Sequence, residues 1–275
     1  MSANTMLLIR KERVRRLFRR LPLLWALTRR DVESRYRGSW LGLGWSVVAP
    51  LTMLAIYTLV FTRIMHARWQ GPAGDDALSY PLMAYSGMVV HTFIAEIMSS
   101  APVSIIRQGN YVKRVVFPLT LLPVVAVGSA SVGLIVGLAL LIVMNTCAGS
   151  GLHATVLALP LAIAPTLLLG LGLAWLLAAV GTFVRDIPHV TGFVVTALFF
   201  ASPILYPAEA VPDPLRQVLQ FNPLAWGIGL VRGVITRGEL PDALTWFSQL
   251  AVCLLFAMAA LYIYRRVQGS FADVL

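Results

Sequence analysis

The chain has 275 residues, of which 58% are hydrophobic and only 12% are charged, and its mean hydropathy is +0.79. Soluble domains carry about 25% charged residues, so this composition excludes a soluble globular protein and indicates an integral membrane protein. The formal net charge of +10 would favour nucleic-acid binding in a soluble chain, but 11 of the 22 Lys and Arg residues precede Trp40. That asymmetry instead marks one side of a membrane.

The first 40 residues combine a basic face with apolar side chains. From Thr5 to Arg20 the two kinds of residue alternate at roughly helical spacing, which predicts an amphipathic helix on a membrane surface. Proline suits the first helical turn, so Pro22 predicts a second helix that runs to about Tyr36. Arginine at the bilayer centre costs about 2.5 to 3.5 kcal/mol. The uncharged run after Arg37 therefore begins the membrane domain, and residues 1–40 form a cytoplasmic interface region.

Apolar runs long enough for a bilayer core of about 30 Å follow one another along the chain. We predict an all-α integral membrane protein whose domain 41–264 crosses the membrane six times, followed by a cytoplasmic tail, 265–275. Short apolar pieces and five prolines between residues 207 and 242 favour re-entrant or interfacial helices over a further span. The predicted spans are 41–62, 80–103, 119–144, 156–182, 187–206 and 243–264.

The distribution of basic residues predicts the orientation of these spans. Six spans place both termini on one side, which then collects 17 of the 22 Lys and Arg residues. Cytoplasmic loops are enriched in Lys and Arg, so both termini are predicted to be cytoplasmic.

The sequence contains no evident catalytic constellation. Neither Lys11 nor Lys113 follows a glycine, which excludes a phosphate-binding loop of the GxxxxGK type. The four histidines lack the spacing of metal ligands. We expect no cofactor or metal in this chain, so energy for active transport must come from another chain or from an ion gradient.

Glu96 is the one acid inside a predicted span. Such a carboxylate is by default a functional candidate, here for lining a cavity or carrying protons, and the alternative is a structural role near the end of a helix. Four aromatic residues are candidates for stacking on sugar rings in a channel, although packing or interfacial anchoring is the commoner role of such aromatics. They are Tyr57, Tyr85, Phe93 and Trp175.

Several short motifs resemble one known family. They are Thr28 to Pro50, Asn110 to Pro118, Arg185-Asp186-Ile187, Ser202-Pro203 with Tyr206-Pro207, and Asn222-Pro223-Leu224. In this order they resemble the ABC-2 type permeases that export polysaccharides such as O-antigen, capsule and teichoic acid. The arginine-rich extension before Pro22 departs from the family's pattern.

The resemblance implies a homodimeric permease of the bacterial inner membrane. It would bind two copies of a separate ATPase, which would carry the ATP and Mg, and would move a lipid-linked polysaccharide through a channel between the protomers. Nucleic acid is not an expected partner.

The resemblance also implies roles for particular residues. The ATPase-coupling segment would comprise Ile105, Ile106, Arg107, Gln108, Gly109, Asn110, Tyr111, Lys113 and Arg114. The interface helix would carry Leu24, Leu27, Arg29, Arg30, Asp31, Arg35, Tyr36 and Arg37. Arg185 and Asp186 would lie in a cytoplasmic loop, and Pro207, Asn222 and Pro223 in extracytoplasmic gate helices.

Three other functions are compatible with the residues. The first is an exporter of the same fold that moves a small amphiphile or lipid. The second is a membrane enzyme that acts on lipid-linked sugars, and the third is a secondary carrier that couples transport to protons. The basic residues Arg107, Lys113 and Arg114 equally suit docking to a partner or setting the topology.

Overall fold

The computed structural model of the chain describes residues 21–35, 37–64, 79–109, 117–148 and 151–274. Regular structure within these ranges is entirely helical, which confirms the predicted all-α class. The amphipathic helix predicted before Arg20, Tyr36, and Asn110 to Arg114 of the coupling segment lie outside the described residues.

Ten helices are labelled here in chain order. They are α1 (residues 21–35), α2 (Trp45–Thr58), α3 (Ser79–Ser100), α4 (Leu121–Cys147), α5 (Leu159–Phe183), α6 (Ile187–Phe200), α7 (Asp213–Leu219), α8 (Pro223–Arg232), α9 (Ala243–Val267) and α10 (Phe271–Val274). A π-helical segment extends α2 through Leu59–Ile64, and another extends α8 through Gly233–Arg237. Short 3-10 segments occupy Ala101–Val103, Ile106–Gln108 and Ala154–Ala158.

Five helical stretches are long and apolar enough to cross a membrane, and α7 with α8 would make a sixth if that bent pair were one span. The five stretches contain α2, α3, α4, α5 and α9. Helix α3 is the centre of the bundle, since 78% of its apolar window is buried against only 6% for α2. Asp242 caps the start of α9 by accepting from the backbone N–H of Thr245, which lowers the pKa of the Asp242 carboxyl.

The bundle has two ends, which differ in the segments that they hold. At the proximal end, α1 lies beside the last turns of α3 and the first turns of α4. At the distal end, residues 201–242 connect α6 to α9 and include α7 and α8, whose axes differ by 87°.

Helix α6 is shorter than a membrane span. Its 14 residues rise about 21 Å, less than a bilayer core of about 30 Å. The residue before a proline disfavours helical geometry, and Ser202-Pro203 follows the helix by two residues. Residues 201–206, here named the breakpoint segment, therefore continue in non-helical form where the sequence predicted a span through 206.

Two helices approach closely at Gly181, near the end of α5. A methyl group at Gly181 would overlap the carbonyl oxygen of Pro102. We expect Gly181→Ala to destabilise the protein by about 1–3 kcal/mol, because the backbone of the neighbouring segment has to move. Gly192→Ala is the matched control, since a methyl group there meets no atom within 4 Å. Thermal unfolding in detergent measures both variants, and equal midpoints would contradict the close approach.

Candidate functional site

A polar network ties α1 to the membrane helices at the proximal end. The guanidinium group of Arg35 forms an ion pair with the Glu96 carboxylate of α3. It also donates to Asp31 Oδ2 from Nε at 3.2 Å, and Ser129 of α4 donates to the same oxygen at 2.6 Å. Asp31, Arg35, Glu96 and Ser129, here named the proximal network, therefore join three helices.

The backbone geometry brings α1 close enough for this network. Thr28 is 7% exposed, and a methyl group at Gly128 of α4 would lie 2.8 Å from its hydroxyl oxygen. Only glycine accommodates so close an approach. The next residue of α4, Ser129, donates to Asp31, which lies about one turn after Thr28 in α1.

Glu96 also lines a cavity of about 200 Å³ between α2, α3 and α4. Tyr85 and Phe93 contribute to its wall, so three of the predicted channel residues meet around one space. Two predicted channel residues lie elsewhere. The ring of Tyr57 packs against Phe199 with centroids 5.5 Å apart, and Trp175 Nε1 donates to the carbonyl oxygen of Thr120 at 3.3 Å.

At the distal end, side chains satisfy the backbone around the breakpoint segment. Non-helical backbone at membrane depth needs hydrogen-bond partners from the protein itself. Four side chains donate to four carbonyl oxygens there. The pairs are Tyr206 to Phe200 at 2.8 Å, Asn222 to Ala201 at 3.3 Å, Arg232 to Ile204 at 3.2 Å and Tyr80 to Leu205 at 3.1 Å.

Two of these donor side chains, Asn222 and Arg232, each make hydrogen bonds to several groups. Asn222 begins α8 by accepting from the backbone N–H of Leu224, and its Nδ2 also donates to Ser202 Oγ at 3.0 Å. Arg232 is 6% exposed and donates from Nη2 to the Met83 carbonyl oxygen at 2.8 Å. Its Nε donates to Ser86 Oγ at 2.9 Å, so this arginine joins α3, α8 and the breakpoint segment.

Comparison with known proteins decides the family. Residues 22–236 match the model of the ABC-2 type transporter family. The chain belongs to this family. The match begins in α1 and ends in the π-helical segment after α8, so it covers both the proximal network and the breakpoint segment.

Three relatives align with this chain over nearly their whole length. The O-antigen export system permease protein RfbA of Myxococcus xanthus is 26% identical, over 94% of this chain and 98% of that protein. A Klebsiella pneumoniae protein of the same description is 24% identical, over 92% of this chain and 95% of that protein. The polysialic acid transport protein KpsM of Escherichia coli is 25% identical, over 86% and 91% respectively.

Of the ATPase-coupling segment predicted for this chain, the structure describes Ile105 to Gly109. Ile105 is fully buried in a cluster with Leu122 and Tyr264, whereas Ile106 is 40% exposed and Arg107 is exposed. Gln108 and Gly109 are half-buried. The segment is therefore anchored by one apolar side chain and presents the next two residues to its surroundings.

The other predicted family residues are distributed between the two ends. In α1, Leu24 and Leu27 are half-buried, while Arg29 pairs with Glu33 at 2.7 Å and is exposed like Arg30. The following Arg37 and the pair Arg185-Asp186 before α6 are also exposed. Pro207 follows the breakpoint segment, and Asn222-Pro223 starts α8 at the distal end.

Sequence reasoning missed three groups that organise this ABC-2 protein. It treated Glu96 and the arginines of α1 separately, whereas Arg35 pairs with Glu96. It used Arg232 only as a charge on the far side of the membrane, whereas this side chain is buried. Phe271 of the predicted tail is fully buried against Tyr264, with ring centroids 5.4 Å apart. A lone aromatic after Arg265-Arg266 was the available signal.

Proposed function

We propose that the chain is the permease subunit of an ATP-driven exporter that moves a lipid-linked polysaccharide across the cytoplasmic membrane. The observation that carries this proposal is the end-to-end similarity to O-antigen export permeases, which covers 98% of the Myxococcus xanthus protein. Family membership over residues 22–236 and five apolar helices of spanning length support the same reading.

In this proposal the energy comes from a separate ATPase. The sequence lacks a phosphate-binding loop, so ATP and Mg would be bound by the partner chain. Two permease copies and two ATPase copies would form the working unit, with both termini in the cytoplasm. Helices α2 and α9 carry exposed apolar residues, including Met53, Ile56 and Leu255, that suit contact with lipid or with the second copy.

Coupling would take place at the proximal end. Ile106 and Arg107 would dock on the ATPase, while buried Ile105 would carry the resulting movement into the bundle. The proximal network would transmit movement of α1 to α3 and α4, because its ion pair and hydrogen bonds join all three helices. Closure of the ATPase dimer would thus move the helices as rigid bodies.

The cavity beside Glu96 would form part of the channel wall. The ion pair with Arg35 favours a structural role for this carboxylate over proton carriage, since it joins α3 to α1. Tyr85 and Phe93 would contribute aromatic rings to that wall.

Isolation of the native complex tests the assembly. Mild solubilisation of membranes that express the tagged chain should recover an ATPase in equal copy number, together with two copies of the permease. Replacement of both Ile106 and Arg107 by aspartate should lower ATPase recovery, because their exposed side chains form the proposed contact. The control is Leu157→Asp, which alters an exposed side chain at the distal end. Recovery of the chain without an ATPase, or equal ATPase recovery with the Ile106 and Arg107 variant, would contradict this assignment.

A further inference from the structure

A second cavity lies at the distal end, in the angle between α7 and α8. Its volume is about 350 Å³, and its wall includes residues from α7, from α8 and its extension, and from the chain before α7. Helix α7 forms one arm of this angle, and α8 with its π-helical extension forms the other. Because the axes of the two arms differ by 87°, we name this space the elbow pocket. The residues relevant here are Glu209, Arg216, Gln220, Trp226, Arg232 and Arg237.

The lining of the elbow pocket is strongly basic. Three arginines face one carboxylate, that of Glu209, among its lining residues. Asp213, which is not part of the pocket wall, pairs with Arg216 through its Oδ1, 3.3 Å from Arg216 Nη1. The Asp213 side chain is 85% exposed. Like charges around a concave surface repel one another, so an arrangement of this kind favours an anionic ligand.

The guanidinium groups of the two arms differ in how many hydrogen bonds they make within the protein. Arg216 of α7 donates from Nη2 to the carbonyl oxygens of Glu209 and Val211, at 2.7 and 3.0 Å. Its Nε is buried and has no hydrogen-bond partner among the described residues. Arg237, at the end of the other arm, is exposed and contacts no acceptor within the described ranges. Arg216 and Arg237 therefore place one guanidinium-bearing side chain from each arm in the wall of the pocket.

The remaining wall of the pocket suits an anion that also carries an organic substituent. Trp226 Nε1 donates to the Gln220 carbonyl oxygen at 2.6 Å, which fixes the indole ring in the wall of the pocket. The pocket is large enough for a phosphate together with part of its ester substituent. Arginine forks match phosphate oxygens in pairs, and phosphates are the anions that concentrate where membrane spans end.

We propose that the elbow pocket binds a phosphate ester or pyrophosphate, with Arg216 gripping it from one arm and Arg237 from the other. A phospholipid headgroup and the link of a lipid-carried glycan share this chemistry. The site itself therefore does not depend on the proposed export function. Since the two arginines belong to different arms, the bound anion stabilises the angle between α7 and α8 and so affects the whole distal connection.

Binding to the purified full chain tests this site. Inorganic pyrophosphate is titrated against the protein in detergent, with dissociation constants measured by calorimetry at two salt concentrations. Arg237→Gln should weaken binding about tenfold or more, because it removes a charge-assisted contact. Arg216→Gln should have a similar effect. Arg63→Gln, an exposed distal arginine outside the pocket, should leave binding unchanged.

Arg237→Gln keeps the test decisive even where Arg216→Gln disturbs folding, because Arg237 makes no hydrogen bond or ion pair with the described residues. Two further probes separate the sources of the phosphate. They are phosphatidylglycerol retained in phosphatidylcholine nanodiscs and an isoprenyl-pyrophosphate-linked glycan. Selective loss of one with Arg237→Gln identifies that source and supports the site. Equal affinity of wild type and both pocket variants for all three probes, or no binding of any of them, would overturn the proposal.

Discussion

Replacing Arg35 with methionine is expected to uncouple ATP hydrolysis from export. The substitution keeps an unbranched side chain but leaves Glu96 and Asp31 without their shared cation. Loss of one partner from a buried ion pair costs about 3–5 kcal/mol. These side chains are about a quarter exposed, 28% for Arg35 and 25% for Glu96, so we expect about 1–3 kcal/mol here. Polymer-stimulated ATP hydrolysis should fall about tenfold.

A double substitution distinguishes this ion pair from a general effect of charge near the membrane. Glu96→Gln removes the uncompensated carboxylate, so Arg35→Met with Glu96→Gln should be more stable than Arg35→Met alone. Arg37→Met is the matched control, because it removes an exposed arginine two residues away. Thermal midpoints and ATPase coupling are measured for all four proteins. If Arg37→Met and Arg35→Met behave alike, the α1 arginines act only as a topology signal.

Arg232→Met is expected to cause the largest loss of stability, about 3–5 kcal/mol. The guanidinium group holds the Met83 and Ile204 carbonyl oxygens and the Ser86 hydroxyl, none of which can turn to water in the packed bundle. A methyl group at Gly87 would lie 3.2 Å from Arg232 Nη2, which confirms how tightly α3 packs here. Detergent-solubilised protein should unfold at a markedly lower temperature.

Two variants support the interpretation of that result. Arg232→Lys should fall between wild type and methionine, since a single ammonium group cannot reproduce the planar fork that reaches both α3 and the breakpoint segment. Arg237→Met, five residues later, removes an exposed arginine and should leave the thermal midpoint nearly unchanged. A midpoint for Arg232→Met equal to that for Arg237→Met would show that the buried guanidinium group does not stabilise the distal end.

Hydropathy and charge were sufficient to predict the five apolar helices that are long enough to cross a membrane, because desolvation dominates their formation. The run without charges between Val115 and Val184 could only be accommodated by folding back, and it forms α4 and α5. The same signal could not locate the end of α6. Buried non-helical chain is as apolar as a helix, so Ser202-Pro203 was the only local indication that the helix stops.

Contacts between polar residues that lie far apart in the chain could not be predicted from the sequence. Arg35 and Glu96 lie 61 positions apart, and either residue alone is compatible with a snorkelling side chain or a cavity wall. Arg232 looked like a loop charge because arginine is rarely buried, yet three acceptors from two other segments surround it. Such partners become visible only when the packing of α1, α3 and α8 is known.

Reconstitution tests the proposed function most directly. The chain and its ATPase are placed in proteoliposomes with a lipid-linked polysaccharide on the ATPase side, and appearance of polymer on the other side is measured together with ATP hydrolysis. The account predicts that translocation requires both proteins and ATP, and that the glycolipid stimulates hydrolysis. Transport by this chain alone, or stimulation by small amphiphiles but not by the glycolipid, would contradict it.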